Sequence, residues 1–143
     1  MRAEDIIGAW TLVEYSIPMP DGTRLYPFGQ DTQGVILYSP DGWMTGLMTK
    51  RGRPPFAADF FRGGTTEEKA TAADGTIGYA ARWRIADDGS VRHDIFVALY
   101  PNWEGVEMIR YGAFEGDQLV LTTPPMMRKE GITVGRIVWE RPK

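Results

Sequence analysis

Residues 79–97 read YAARWRIADDGSVRHDIFV, in which two segments of alternating apolar and polar residues flank an Asp-Asp-Gly turn. Alternation with a period of two is typical of a strand buried on one face, and a short loop ending in Gly joins antiparallel strands. A three-residue loop with Gly89 in the left-handed conformation gives these predicted pairs: Ile85 with Val91, Trp83 with His93, Ala81 with Ile95 and Tyr79 with Val97. One face is then apolar and the other carries charges, which predicts a β-hairpin.

Two further turns give hairpins with an equally consistent apolar face. A three-residue loop over residues 40–42 places Tyr38 opposite Met44. A two-residue turn over residues 116–117 places Phe114 opposite Leu119. Because loop length sets the register, agreement at three turns favours antiparallel strands that follow one another along the chain.

Similar short runs, rich in Val, Ile, Thr, Tyr and Trp, recur between clusters of Gly, Pro and Asp. The predicted strands are Trp10 to Ile17, Thr23 to Tyr26, Gly34 to Tyr38, Trp43 to Thr49, Tyr79 to Ile85, Ser90 to Tyr100, Val106 to Glu115, Gln118 to Thr123 and Ile132 to Arg141. This spacing is typical of an antiparallel barrel. We therefore predict an all-β chain that forms one domain over residues 1–143, a single antiparallel β-barrel of about eight to nine strands.

The stretch from Lys50 to Asp74 departs from this pattern because its paired prolines do not fit a central strand. Thr65 followed by Glu68 forms a capping box, which predicts one short helix from Thr66 to about Ala73. Three aromatic residues precede that helix, and we expect them to be buried over one mouth of the barrel as a lid-like loop. They are Phe56, Phe60 and Phe61.

Composition excludes several classes of function. The formal net charge of -3 argues against nucleic-acid binding, which needs a basic surface. With no Cys and one His, disulfides, thiolate nucleophiles, Cys-ligated zinc and multi-histidine metal sites are excluded. Neither a secretion signal nor an apolar stretch long enough for a membrane span is recognisable, so we expect a cytoplasmic protein. No phosphate-binding glycine loop or serine nucleophile elbow is present, and we expect no cofactor.

Five segments resemble a known family when they are taken together. They are Ile6 to Trp10 with its Gly-x-Trp, Tyr26 to Gly29, Gly34 to Gly42, Arg51 to Phe56, and Pro101 to Trp103. Over nearly the whole chain they resemble the bacterial and fungal lipocalin-like domain proteins. The resemblance implies a calycin-type barrel with a central cavity, and it implies no common reaction. In lipocalins an Arg of the last strand covers the opening Trp, and both Arg136 and Arg141 are candidates for that role.

His93 is the only imidazole of the chain, and the predicted register turns it toward the apolar face. One interpretation is a neutral core histidine that makes one hydrogen bond. The other is a general acid or base, or a hydrogen-bond partner for a ligand.

Arg110 is predicted to face the same interior, where a guanidinium is costly unless it is paired. Its partner is either Glu14, if the first strand has no bulge, or a carboxylate or enolate of a ligand. If the register slips by one residue, Tyr111 points inward in place of Arg110.

Other side chains predicted to face inward offer aromatic walls with polar tips or adaptable apolar surface. They are Tyr38, Tyr79, Trp83, Met44 and Met48. Such a lining suits a planar or aromatic ligand, and Phe56 and Phe60 of the lid would complete it. An eight-stranded barrel can also fill itself with side chains and hold nothing.

Three functions follow from this list. The first is binding of a small apolar or aromatic ligand whose polar or acidic end is oriented by His93, Arg110 and a Tyr. The second is a cofactor-independent isomerase, cyclase or lyase that uses His93 as general acid or base. The third is a packed, non-catalytic interaction protein that uses Trp43, Trp103 or the loop of residues 56–61. The first two need a cavity of about 300 Å³ or more. Exposed strand edges beside the long loop would allow a homodimer.

Overall fold

The structure, a computed structural model, describes residues 1–129 and 131–143. Its strands are β1 (Gly8–Pro18), β2 (Arg24–Leu25), β3 (Thr32–Tyr38), β4 (Trp43–Lys50), β5 (Thr76–Ile85), β6 (Val91–Ala98), β7 (Glu107–Glu115), β8 (Gln118–Thr122), β9 (Met126–Arg128), β10 (Gly131–Thr133) and β11 (Arg136–Glu140). The helices are α1 (Ala3–Ile6) and α2 (Thr66–Asp74), and a 3₁₀ turn covers Pro101–Trp103. Neither helix in this part of the chain is long and apolar enough to cross a membrane.

Eight strands close into an antiparallel barrel in the order β11, β8, β7, β6, β5, β4, β3, β1, and pairing of β1 with β11 completes the ring. The predicted all-β barrel is confirmed. β2 extends the sheet beyond β1, while β9 and β10 form a separate small hairpin. Among the described residues, the strands that lie at the end of a sheet are β2, β9 and β10. The homodimer, which was expected from exposed edges, stays a prediction.

The three hairpin registers are confirmed next to their turns. Tyr38 pairs with Met44, Trp83 with His93, and Phe114 with Leu119. Gly42 and Gly89 have φ values of 89° and 83°, the left-handed conformation that a glycine adopts without steric cost and that the third position of such a loop requires. The residues of these turns therefore determine which neighbouring side chains point into the barrel.

Two β-bulges shift the register farther along the strands. In β1 the extra residue lies between Leu12 and Glu14, so that Glu14 points outward. In the β5–β6 pair the shift lies between Ala80 and Ala81, and Tyr79 is opposite Ala98. The predicted pairing of Tyr79 with Val97 was wrong, and Val97 is exposed.

The predicted helix after the long loop is confirmed as α2. The Glu68 backbone N–H donates to Thr65 Oγ1 over 3.1 Å, and the Thr65 N–H donates to Glu68 Oε1 over 2.9 Å. Helix α1 was not predicted, and the end of the chain was predicted to form one strand, Ile132 to Arg141. It is instead divided into β10 and β11, and Gly135 between them hydrogen-bonds to Thr123.

Helix α1 covers the end of the barrel at which β1 begins. The indole of Trp10 donates to the Ile6 carbonyl over 2.8 Å. Arg141 covers this indole, with its guanidinium carbon 3.7 Å from the ring centroid. Arg136 instead pairs with Glu14 and with a second carboxylate outside the barrel. Of the two arginines considered from sequence, Arg141 therefore covers the opening Trp. We call this side the closed end.

The long connections between strands lie at the opposite, open end of the barrel. The aromatic lid predicted there is wrong. Phe60 and Phe61 are 71% and 94% exposed, and the Phe56 ring lies against Gly64 of its own loop. The cause is that the loop folds onto α2, where the backbone N–H of Ala57 donates to a helix carboxylate.

Candidate ligand-binding site

A cavity of about 130 Å³ lies in the open half of the barrel. Its walls are Tyr15, Ile36, Met48, Ile77, Tyr79, His93, Trp103, Arg110, Leu121, Thr123, Met126, Arg128, Ile137 and Trp139. This volume is below the roughly 300 Å³ that ligand binding or catalysis was expected to need, so the expected cavity size was wrong. The limit of about 300 Å³ applies to drug-sized molecules, and a smaller ligand needs less space. The observed volume is close to the roughly 150 Å³ that accommodates a benzene molecule in a protein core. The cavity therefore has room for about one aromatic ring.

His93 is fully buried beside this cavity and bridges two tyrosines. Its Nε2 lies 2.9 Å from the Tyr38 hydroxyl, and its Nδ1 lies 2.8 Å from the Tyr79 hydroxyl. His93 pairs with Trp83 across the β5–β6 hairpin. Tyr79 lies on the same face of β5 as Trp83, so its side chain is on the same side of the sheet as His93. Both ring nitrogens therefore have partners.

The proton positions in this chain follow from the burial of Tyr38. A neutral imidazole has one donor and one acceptor nitrogen. The Tyr38 hydroxyl is fully buried away from the cavity, so its proton is satisfied by donation to His93 Nε2. His93 Nδ1–H then donates to the Tyr79 oxygen, which leaves the Tyr79 proton free to point elsewhere. Tyr79 lines the cavity, so this arrangement offers a hydroxyl donor to a ligand.

The ionisation states of His93 and Tyr79 agree with this arrangement of hydrogen bonds. Burial, together with the positive charge of Arg110, lowers the pKa of His93 to about 3. Burial raises the pKa of Tyr79, although the nearby Arg110 guanidinium offsets part of that rise. At neutral pH the imidazole is therefore uncharged and the phenol keeps its proton.

Arg110 is buried in the cavity wall without a carboxylate. Its Nη1 donates to the Ile109 carbonyl over 2.8 Å and approaches the Met108 sulfur at 3.8 Å. Among the residues that the structure describes, no Asp or Glu oxygen lies within 4.0 Å of this guanidinium. A buried cation normally has a counter-charge, so this group is suited to an anion or a strong acceptor from a ligand.

Other donors surround the same space. Arg128 Nη1 donates to the Tyr15 hydroxyl over 2.7 Å. Within the described residues the Nε of Arg128 and the indole Nε1 of Trp139 are buried and have no acceptor. The wall is therefore rich in hydrogen-bond donors, which suits a ligand rich in acceptor oxygens.

The inward-facing residues predicted from sequence divide into two groups. Met48, Tyr79, His93 and Arg110 line the cavity. Tyr38, Met44 and Trp83 are buried in the packed core toward the closed end. Trp83 donates its indole N–H to the Ser39 carbonyl there over 2.9 Å. These three residues support the site from below and do not border the cavity.

Four more of the predicted ligand-binding residues also lie outside the cavity. Glu14 pairs with Arg24 and Arg136, because the β1 bulge turns it outward, and the suggested Glu14–Arg110 pair is wrong. Tyr111 is 50% exposed because the register of β7 does not slip. Phe56 and Phe60 belong to the loop that packs on α2.

The cavity wall includes polar and aromatic residues that were not predicted to face it, among them Tyr15, Arg128, Trp103 and Trp139. For Tyr15 a signal exists in the sequence. Trp10 and Leu12 are in one phase of the strand while Tyr15 and Ile17 are in the other, and such a change of phase indicates a bulge. Arg128 and Trp103 lie in connections between barrel strands, where no periodicity indicates the direction of a side chain.

The described part of the chain holds no group of three His, Cys, Asp or Glu side chains placed to bind an ion. The donors of the wall are also of the wrong kind, since arginine and indole N–H groups do not ligate cations.

Comparison with known proteins gives two findings. The family model described as lipocalin-like domain matches residues 7–142. The chain is also similar to a protein of Aspergillus oryzae named 4'-hydroxy-3'-methoxypropiophenone carrier protein ppsC. The two are 31% identical over 87 residues, which cover 56% of this chain and 78% of that protein. No solved structure matches the chain significantly.

Proposed function

The chain belongs to the family of lipocalin-like domains, and from that premise we propose that it binds a small aromatic molecule with a carbonyl, carboxylate or phenolate oxygen. The ring occupies the cavity, and the acceptor oxygen lies between Arg110 and Tyr79. The fold and the similar carrier protein support ligand binding in general. The chemistry of the cavity wall is the basis for the class of ligand.

One observation carries this proposal: Arg110 is buried in the cavity wall with no carboxylate beside it in the described ranges. Removing a guanidinium from water costs several kcal/mol unless it gains a partner. A ligand oxygen would supply that partner, and the Tyr79 hydroxyl would donate a second hydrogen bond. Two donors on one oxygen favour carboxylates and aryl ketones over alcohols and amines.

The ligand named for the similar protein has this chemistry. A hydroxymethoxypropiophenone is an aryl ketone, with a flat ring, a carbonyl oxygen and oxygen substituents on the ring. In the cavity of this chain, the ring would lie between apolar side chains such as Ile36 and Leu121. Its carbonyl oxygen would accept from Tyr79 and Arg110.

The state of His93 favours binding over proton transfer. A general acid must carry a proton near the working pH, whereas the pKa of His93 is lowered to about 3. A general base must reach the ligand with its lone pair, whereas Nε2 of His93 is hydrogen-bonded to the buried Tyr38 hydroxyl and Nδ1 to the Tyr79 hydroxyl. His93 is better suited to holding Tyr79 in a donating orientation.

Benzoate is the simplest probe that tests the proposal. Trp103 and Trp139 line the cavity, so intrinsic fluorescence can report binding, and calorimetry can measure affinity. We expect Arg110→Gln to weaken benzoate binding about 10- to 100-fold, the value of a charge-assisted hydrogen bond. Arg110→Lys should retain part of the affinity because it retains the charge. Arg84→Gln is the matched control, since Arg84 pairs with Glu107 on the outer surface.

Two results of the benzoate experiment would contradict the proposal or part of it. Absence of benzoate binding to the wild-type protein would contradict the proposal. Equal affinity for benzoate in the wild type and in Arg110→Gln would contradict the role given to Arg110. Toluene, which has the ring without the acceptor oxygens, should bind more weakly than benzoate to the wild-type protein and equally well to both proteins.

A further inference from the structure

A second concave region lies directly outside the cavity. It is a groove of about 380 Å³ between the last turn of α2, the start of β5 and the 3₁₀ turn. Ile77 and Trp103 line both the groove and the cavity. These two side chains therefore form the wall that the two spaces share.

That wall combines Ile77 of barrel strand β5 with Trp103 of the connection between β6 and β7. Trp103 belongs to the three-residue 3₁₀ turn, and its ring packs edge-on against Tyr79 of the cavity, with centroids 5.9 Å apart. It also packs edge-on against Tyr100 of the groove, with centroids 5.4 Å apart. Side chains change rotamer on a timescale of nanoseconds, far faster than a barrel strand can separate. Contact between the two spaces therefore depends on the rotamers of Ile77 and Trp103.

The groove differs from the cavity in chemistry. Phe28, Leu99, Tyr100 and Trp103 give it an apolar surface, and no arginine or lysine is among its lining residues. Asp74 is its single charged side chain, and it would repel a second anionic group. Leu99 is also about half exposed and adds apolar surface to the groove. An apolar group of a ligand suits this surface better than a polar one.

We propose that the cavity and the groove form one ligand site with two compartments. This inference rests on the proposed function, in which Arg110 and Tyr79 hold the acceptor oxygen of an aromatic ring. From that ring, an apolar substituent extends past Ile77 and Trp103 into the groove. The ligand class is then an aromatic acid or ketone with an alkyl or other apolar tail opposite its acceptor end. Such a molecule exceeds the roughly one ring that the cavity alone holds.

A series of probes of increasing length tests this inference: benzoate, 4-butylbenzoate and 4-octylbenzoate. Once the chain reaches the groove, we expect affinity to rise about two- to fourfold for each added methylene group, as for burial of an alkyl chain. Ala73→Trp places an indole in the groove from an exposed position of α2. It should greatly reduce the ratio of affinities for 4-octylbenzoate and benzoate. Using this ratio corrects for any general loss of binding.

Ala70→Trp is the matched control, because Ala70 is also exposed on α2 but does not line the groove. It should leave the affinity ratio at its wild-type value. If affinity falls or stays constant along the series, while benzoate binding still depends on Arg110, the two-compartment site is wrong and the proposed function stands. The same holds if Ala73→Trp and Ala70→Trp give equal ratios. If benzoate does not bind, the proposed function itself fails.

Discussion

The two ends of the barrel interior contain the same kinds of side chain, but these side chains differ in whether their hydrogen-bond donors have acceptors. At the closed end the indoles of Trp10 and Trp83 donate to the carbonyls of Ile6 and Ser39. Beside the cavity, the buried indole of Trp139 has no acceptor among the described residues. Arg110 likewise has a carbonyl but no carboxylate beside it. Buried polar groups are normally paired, so the closed end has the character of a core and the open end that of a binding site.

Tyr38, His93 and Tyr79 connect the two ends. Tyr38 is part of the packed core, and Tyr79 borders the cavity. Because the core fixes the direction in which Tyr38 donates, the hydrogen-bonded chain orients the Tyr79 hydroxyl in the cavity. In this way a core residue that does not border the cavity prepares a donor for the ligand.

The largest expected effect is a difference in the free energy of unfolding between a core variant and a cavity variant. Leu119 and Leu121 are both almost fully buried on β8, but Leu121 borders the cavity and Leu119 does not. Leu119→Ala opens a new hole in a packed core and should lower the free energy of unfolding by about 3 to 5 kcal/mol. Leu121→Ala enlarges an existing cavity and should cost about 2 kcal/mol, mainly for transfer of the side chain.

Urea unfolding of both leucine variants measures this difference. An equal loss of stability in the two variants would mean that the open end is packed as tightly as the closed end. In addition, Leu121→Ala should bind benzoate with altered affinity, whereas Leu119→Ala should bind it as the wild type does.

The pH dependence of stability tests the burial of neutral His93. The unfolded chain binds a proton at His93 below its ordinary pKa of 6.5, but the folded chain does so only near a pKa of about 3. Lowering the pH from 6.5 toward 3 therefore favours the unfolded state, by about 1.4 kcal/mol per pH unit well inside that window. His93→Gln should remove this contribution.

The comparison is cleanest between pH 6.5 and 5, above the range in which most carboxylates titrate. Over that interval the wild type should lose about 1 to 2 kcal/mol more stability than His93→Gln, as measured by urea unfolding. Parallel pH dependence in the two proteins would show that His93 titrates normally, and hence that it is not held neutral between the tyrosines.

Turn chemistry explains how much of this barrel was predictable. The loops ending in Gly42 and Gly89 set the registers that bring Tyr38 and His93 inward, and these local rules are visible in sequence. A bulge is harder to predict because one inserted residue leaves the composition of a strand unchanged. Because of the bulge in β1, Tyr15 faces the interior and Glu14, which was predicted to face it, points outward.

The rest of the cavity wall depends on contacts that no local pattern encodes. Trp103 and Arg128 reach the cavity from connections, where side-chain direction is set by tertiary packing. The expectation that Phe60 and Phe61 must be buried failed because their loop packs on α2 and leaves both in water. Large apolar side chains are common on protein surfaces, so aromatic content alone did not predict a lid.

Arg110→Met, examined by thermal unfolding with and without benzoate, tests the central claim most directly. Methionine has a similar length and carries no charge, so it removes a buried cation without leaving a large hole. We expect the unliganded variant to be more stable by about 1 kcal/mol, a rise in Tm of about 3 °C, while benzoate no longer raises its Tm as it does in the wild type. A variant that is less stable than the wild type and is still stabilised by benzoate would show that Arg110 serves the fold and not a ligand.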